Sequence, residues 1–287
     1  MWIAESYAKI NLGLFVLERL PTGFHNIETG FCFIEWKDRF EVVESDAFSL
    51  SLTDPAIPSD DGNLVTRAYA AFEKYIGLKK NYAIRITKNI PAGAGLGGGS
   101  SNAALTLRLL NKLEGTGLST DDLVDLSRNL GADIAFFIKG KPALGRGLGQ
   151  DIEPLDIQPD SWIVTIYPGF ESAASEAYRD CSPNPQPDFS LRNVLAEAPL
   201  EEWRYLLQND LEPPVIARYE LIGNIKDQLY EFGADYASMS GSGSAVYGLF
   251  EQDFVAVSAY EGFQDLGFRT NITRPAFKPD NGIYLNE

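Results

Sequence analysis

Apolar and polar positions alternate in several short runs before residue 90. Ala8-Lys9-Ile10-Asn11-Leu12 is partly alternating and predicts a short strand. Phe31 to Val43, rich in aromatic and β-branched residues, predicts another. Leu20 to Asn26, with Pro21 and Gly23, is a turn by composition. After a loop at Pro58 to Gly62, Leu64, Ala68, Ala71, Phe72 and Tyr75 recur at helical spacing, with Asn63 as an N-cap. Tyr82, Ile84 and Ile86 alternate with Ala83, Arg85 and Thr87, which is a strand pattern.

A glycine-rich stretch, Pro91 to Asn102, follows. The Ala- and Leu-rich run Ala103 to Leu113 then predicts a helix. A further helix is expected over Asp121 to Leu130, capped by Ser119 or Thr120. Gly131-Ala132-Asp133 leads into the apolar run Ile134 to Ile138. Gly140 to Gly149 is again glycine-rich, and the domain boundary is expected near residue 152, giving domains 1–152 and 153–287. In the second half, Trp162 to Tyr167 and Ala245 to Phe250 read as strands and Ile225 to Phe232 as a helix. Residues 255–263 fit helix or strand. Cys181 to Phe189, with three prolines, reads as a loop, and Ser240 to Ser244 as a glycine-serine turn.

Composition narrows the function. The chain has 287 residues, 45% hydrophobic and 22% charged, enough for one large or two ordinary globular domains. Forty acidic side chains against 24 basic ones give −16 at pH 7, which repels nucleic acid. Cys32 and Cys181 make no disulfide framework, so a reducing compartment is the simplest reading. No apolar run approaches the roughly 20 residues of a membrane helix. Glu5 stands where a signal peptide needs basic residues, so the cytoplasm is expected.

The order strand, glycine loop, helix carries the most chemistry. Backbone N–H groups of such a loop, and of the helix turn after it, form a nest for an anion. Gly97, Gly98, Gly99, Ser100 and Ser101 fit this, and their hydroxyls offer donors or a magnesium ligand. Gly99 is not followed by the lysine of a Walker A loop. Asp121 and Asp122 lie at the distance of a dinucleotide fingerprint's acid, but they open a helix. A tight turn packing helix against sheet remains the structural alternative, although three adjacent glycines cost backbone entropy that such a turn seldom requires.

Lys9 within an apolar strand is either an ordinary outward side chain or a cation beside a carboxylate and a phosphate. Asp133 is the candidate carboxylate, with helix N-capping as its alternative. His25, the only histidine, excludes a histidine metal cluster. No serine nucleophile elbow accompanies it, and nothing local supports a Cys-His pair.

Five motifs in order resemble the GHMP kinase family: Ala8 to Leu12, Gly23 to Asn26, Pro91 to Ala104, Gly131 to Asp133 and Met239 to Ser244. The likeness extends from Ala8 to Phe250, and within the family it is to the branch acting on a cytidine-diphosphate-linked methylerythritol alcohol. It implies an α+β, two-lobed fold: an N-terminal lobe like the second domain of ribosomal protein S5 and a ferredoxin-like C-terminal lobe. It implies transfer from ATP to the 2-hydroxyl of the methylerythritol moiety, releasing ADP, with Mg2+ bridging the phosphates. ATP would meet Asn63, Lys88, Pro91, Gly93, Gly95, Leu96, Gly97, Gly98, Gly99, Ser100 and Ser101. Ser100 or Ser101 would help hold magnesium. Asp133 would accept or orient the hydroxyl proton, and Lys9 would stabilise the charge that develops in transfer. Asn11, Phe24, His25, Tyr178, Gly241 and Ser242 would meet the cytidyl substrate. Both substrates are anions, so a local positive site is expected from Lys9, Lys88 and Arg146 against the whole-protein charge.

Two positions depart from the family pattern: Phe24 replaces a tyrosine and Ala135 a proline. Neither removes Lys9 or Asp133, so an active enzyme is expected, as a monomer or weak homodimer without nucleic-acid or membrane partners. The alternatives are another small-molecule kinase of the family acting on a sugar, homoserine or mevalonate-like alcohol, a nucleotide-binding regulator that has lost catalysis, and a structural protein. The regulator would predict loss of Lys9 or Asp133. The structural protein would not need two glycine-serine loops together with the paired polar residues.

Overall fold

The computed structural model describes residues 1–157, 159–280 and 282–285. Its first lobe runs β1 (Trp2–Arg19), β2 (His25–Ser45), β3 (Ser49–Leu52), α1 (Leu64–Ile76), β4 (Asn81–Thr87), α2 (Gly98–Glu114), α3 (Thr120–Ser127), α4 (Ile134–Lys139), β5 (Ala143–Gly147) and β6 (Asp151–Pro154). The second runs β7 (Trp162–Tyr167), α5 (Ala174–Asp180), α6 (Leu191–Glu197), α7 (Trp203–Leu206), α8 (Glu212–Arg218), α9 (Glu220–Glu231), β8 (Tyr236–Met239), β9 (Val246–Phe250), α10 (Asp253–Asp265) and β10 (Arg269–Thr273). A last strand, β11 (Ile283–Leu285), returns to pair with β1.

The second sheet has the order β10-β7-β9-β8, all antiparallel, with α8 and α9 before β8 and α10 before β10. Strand, helices, strand, strand, helix, strand in this order is the ferredoxin-like arrangement. The first sheet has the order β11-β1-β2-β4-β3, and β5 joins β2 to β6. The architecture is mixed α/β in two lobes.

β1 is far longer than its alternating core suggests. Register shifts between Tyr7 and Ala8, Leu12 and Leu14, and Val16 and Glu18 break the two-residue period. Every residue from Ser6 to Val16 is buried, because the strand runs between the lobes and both faces are covered. Ala8, Ile10 and Leu12 pack in one core cluster, and Leu14 and Val16 in another with the second sheet.

α2 begins at Gly98, five residues before the Ala- and Leu-rich run. Glycine and serine are poor helix formers. Here burial of Ser101, Asn102, Ala103 and Ala104 holds the first turn in place. The apolar run after Asp133 is helix α4, and residues 255–263 lie within α10. The glycine-rich segment 140–149 contains β5. Helices α5, α6 and α8, seven residues each, show too little period to be read from sequence. Residue 152 lies inside β6, which pairs with β5, so the lobe division we propose falls after Pro154.

Candidate active site

Lys9 lies in the middle of β1 with only 4% of its surface exposed. Its Nζ donates to the Gly95 carbonyl at 2.9 Å and to Asn11 Oδ1 at 2.5 Å, and stands 3.5 Å from Asp133 Oδ2. The Phe31 ring centroid is 5.4 Å away. Burial pulls the ammonium below its ordinary value, and the charge of Asp133 opposes that shift. The outward-facing alternative for Lys9 is therefore wrong.

Asp133 precedes α4 but makes no side-chain cap to it. Its side chain is 31% exposed, so one carboxylate serves the lysine and still faces a ligand.

Beside this pair the glycine loop forms one wall of a cavity of about 320 Å³. Asn63, Lys88, Pro91, Gly93, Gly95, Leu96, Gly97, Gly98, Gly99 and Ser100 all line it. The N-cap of α2 is Gly97, with no side chain to occupy the first-turn N–H groups. Those groups and the helix dipole give the cavity an anion-attracting end. Asn63 also caps α1 through Val65 N at 2.9 Å.

Ser101 does not line the cavity. Its hydroxyl donates to the Tyr7 carbonyl at 2.7 Å and accepts from Ser6 at 3.0 Å, and its N–H bonds Gly97 O at 2.9 Å. As the inward face of the first helical turn, it is unsuited to hold ATP or magnesium. Ser100 is the hydroxyl on the cavity side.

Each of the three cations expected to make the site locally positive has a carboxylate partner within the protein. Lys88 is paired with Asp38, which is wholly buried and also accepts from Asn89 N at 2.7 Å, Ile90 N at 2.9 Å and Asn102 Nδ2 at 2.9 Å. Arg146 pairs with Glu28 and Glu153, each at 3.2 Å, and does not line the cavity. Local positive character comes from the backbone N–H groups of α2 rather than from unpaired side chains.

The second lobe closes the other side. Gly241, in the turn after β8, lies so close that a Cβ there would stand 3.0 Å from Asn11 Oδ1 and 3.7 Å from Lys9 Nζ. Ser242 is half-buried in the same turn. Both ends of the Asn11 amide have protein partners, Lys9 on Oδ1 and Thr29 on Nδ2. His25, the first residue of β2, is buried and stacks on Tyr178 of α5 with ring centroids 5.2 Å apart. Burial lowers the His25 pKa below its usual value, and Arg19 adds to the shift. Burial raises the Tyr178 pKa, and the charge of Asp133 adds to it, so the aromatic pair and the ion pair share one electrostatic neighbourhood. Phe24, whose carbonyl accepts from Leu20 N to close the turn before His25, is 63% exposed.

Sequence reading missed Thr29, Asp38 and Asn209. Asn209 is buried, and its Nδ2 donates to Met239 O at 2.9 Å and Gly241 O at 2.8 Å. The adjoining backbone is strapped to β1, Leu14 N donating to Gln208 O at 2.8 Å and Asp210 N to Leu14 O at 2.9 Å. The one sequence signal is the polar run Gln208-Asn209-Asp210 between Leu207 and Leu211.

Comparison with known proteins follows the same lines. The model of the GHMP kinases N-terminal domain matches residues 63–141, and that of the GHMP kinases C-terminal region matches 194–267. A 4-diphosphocytidyl-2-C-methyl-D-erythritol kinase from Chlorobium limicola is 39% identical over 280 residues, 95% of this chain and 96% of the relative. The enzyme of that name from Bacteroides thetaiotaomicron is 41% identical over 252 residues, 86% and 91% of the two chains. A crystal structure of 4-(cytidine 5'-diphospho)-2C-methyl-D-erythritol kinase superposes with TM-score 0.80 at 31% identity, covering 94% of this chain and 98% of that one. Homoserine kinase from Cytophaga hutchinsonii, at 16% identity and TM-score 0.73, shares the fold.

Proposed function

This chain belongs to the GHMP kinase family, and from that premise we infer that it transfers the γ-phosphoryl group of ATP to 4-(cytidine 5'-diphospho)-2-C-methyl-D-erythritol. The acceptor is the 2-hydroxyl, and the products are the 2-phosphate and ADP, a step in the non-mevalonate route to isoprenoid precursors. The observation that supports this best is the pairing of buried Lys9 with the part-exposed Asp133, near both a glycine-walled cavity and the His25–Tyr178 stack.

Phosphoryl transfer requires placement and charge neutralisation more than covalent work by the protein. We propose that the phosphates of ATP lie against the first-turn N–H groups of Gly98, Gly99 and Ser100. Asp133 takes a hydrogen bond from the acceptor hydroxyl and receives its proton as the new O–P bond forms and the bond to the ADP oxygen breaks. Lys9 steadies the negative charge gathering on the transferred group. His25 reads the cytosine edge, with Tyr178 and Phe24 as ring surfaces beside it.

Magnesium fits this cavity on terms that suit its chemistry. No cluster of three or more acidic, histidine or cysteine side chains occurs among the described residues. Mg2+ keeps several waters and takes much of its coordination from substrate phosphates. Ser100 Oγ is the side-chain ligand this chain would add, and the ion would neutralise phosphate charge.

One chain supplies every group invoked, which supports action as a monomer or weak homodimer. Among the described residues no helix is long and apolar enough to cross a membrane. Water-soluble anionic substrates support a cytoplasmic enzyme, and the net charge of −16 disfavours a nucleic-acid partner.

A coupled ADP-release assay with magnesium-ATP tests the reading. The cytidyl-diphosphate substrate is expected to turn over while free methylerythritol phosphate does not, and Asp133→Asn should lower the rate about a hundredfold or more. Turnover of neither compound by the wild type would overturn the reading.

A further inference from the structure

We propose that Thr29 is a positioning residue for the reaction: its hydroxyl fixes which way the Asn11 amide points, and so holds the Lys9 ammonium on Asp133. The proposal rests on the reading of Lys9 as the cation of the transfer step.

The observations form a one-way chain of hydrogen bonds. Gly13 is the extra residue of a β-bulge in β1, unpaired where Leu12 faces Gly30 and Leu14 faces Thr29. It takes φ +69, and the carbonyl released from the ladder accepts from Thr29 Oγ1 at 2.6 Å. Thr29 is wholly buried. With its only hydrogen given to Gly13, Oγ1 can meet Asn11 only as an acceptor, and Asn11 Nδ2 donates to it at 2.9 Å. The amide oxygen is thereby turned to Lys9 Nζ, at 2.5 Å.

The direction of the relay matters because the amide has two faces. Reversed, Asn11 would present N–H to an ammonium that has only hydrogens to offer. The groups around Nζ are the Gly95 carbonyl, Asn11 Oδ1, the Asp133 carboxylate and the Phe31 ring. Asp133, at 3.5 Å, is the longest of the three polar contacts. Loss of the Asn11 acceptor would therefore move the ammonium relative to the carboxylate, the pair whose geometry the chemistry uses.

Steady-state kinetics of T29V, T29S and T29A, alone and in an N11D background, test this. T29V keeps the shape of threonine but not its hydroxyl; kcat is expected to fall about tenfold or more, with each KM within about threefold of wild type. T29S restores the hydroxyl and should restore kcat. In N11D both outer atoms are acceptors, so there is no orientation to lose, and T29V should then cost less than about threefold. Binding of a non-hydrolysable ATP analogue identifies folded variants, and T29A replaces T29V if the latter fails that check. Equal loss from T29V in both backgrounds, equal rates for T29S and T29V, or an unchanged kcat in T29V would each overturn the relay. Failure of the wild type to turn over would instead strike the functional reading.

Discussion

Lys9 and Ser240 share one acceptor. The carbonyl oxygen of Gly95 receives Lys9 Nζ and Ser240 Oγ, each at 2.9 Å. Lys9 belongs to the first lobe and Ser240 to the second, and Gly95 sits in the loop that walls the cavity. The loop, the cation and the closing turn are therefore set by one contact, and displacing any of them moves the others.

Replacing Gly95 tests that linkage. Its φ is +75, and a Cβ would lie 2.0 Å from the Ser240 carbonyl oxygen. Gly95→Ala should therefore part the loop from the turn, on top of about 1–2 kcal/mol of left-handed backbone strain. Gly77→Ala is the control: φ is +78 there, with nothing within 4 Å. Both variants should lose a few degrees of Tm. Only Gly95→Ala should also lose kcat/KM for ATP and acceptor together, about tenfold or more. Equal activity in the two variants would show that the shared contact does not govern the site.

Lys9 should be worth more to catalysis than to folding. Its pKa is lowered in the folded protein chiefly by burial, so the unfolded chain holds the proton to higher pH. Stability then rises with pH across the window between the lowered value and that of an ordinary lysine, and below that window the buried ammonium costs stability. Lys9→Met removes the cost, and Asp133 is exposed enough to take water as a partner. Thermal melts at pH 7 should show Tm kept or raised, while kcat falls about a hundredfold or more. The alkaline limb of the wild-type rate profile should fall below the usual lysine range. A large drop in Tm for Lys9→Met would mean that the pair holds the fold together.

The parts of this site that sequence made legible are those where residue type and spacing are both constrained. Gly97 to Ser100 stand out because a helix start that binds anions leaves its first N–H groups open, and glycine at the cap does that. Asp133 stands out as a charge between a glycine turn and five apolar residues. Lys9 is ambiguous because its place in an alternating run reads as an outward position, whereas the fold covers that face too and buries every residue from Ser6 to Val16. Ser101 and Ser100 are neighbours of one type, and only the helical turn separates the inward hydroxyl from the outward one. For Asn209 the sequence offers a short polar run but no role. Its role depends on a strap to Leu14 and a carbonyl at Gly241, contacts far apart in sequence that no local period encodes.

Asn209 should act on the acceptor more than on ATP. Its amide holds the Met239 and Gly241 carbonyls, and Gly241 stands against Asn11 and Lys9. Asn209→Ala leaves two buried carbonyls without their donor, at about 1–3 kcal/mol in stability. The loosened turn should raise KM for the cytidyl substrate severalfold. Binding of an ATP analogue, whose cavity Asn209 does not line, should stay near wild type. Equal losses in both affinities would assign Asn209 to the fold as a whole.

His25 should stay neutral through the physiological range and recognise cytosine in that form. Its pKa lies below the ordinary histidine value, first through burial and second through the charge of Arg19. As pH falls below 6.5 the unfolded chain gains a proton that the folded chain resists, so stability declines on the acid side rather than the alkaline side. KM for the cytidyl substrate should hold level at neutral pH and rise on the acid side, at lower pH than an ordinary histidine would give. Arg19→Gln removes the second cause and should move that rise toward the ordinary histidine range, with kcat at pH 7 unchanged. His25→Phe keeps a ring against Tyr178 but no ring nitrogen, and should raise KM about tenfold at every pH. A KM that already climbs at pH 7 in the wild type, or that ignores His25→Phe, would remove the histidine from cytosine recognition.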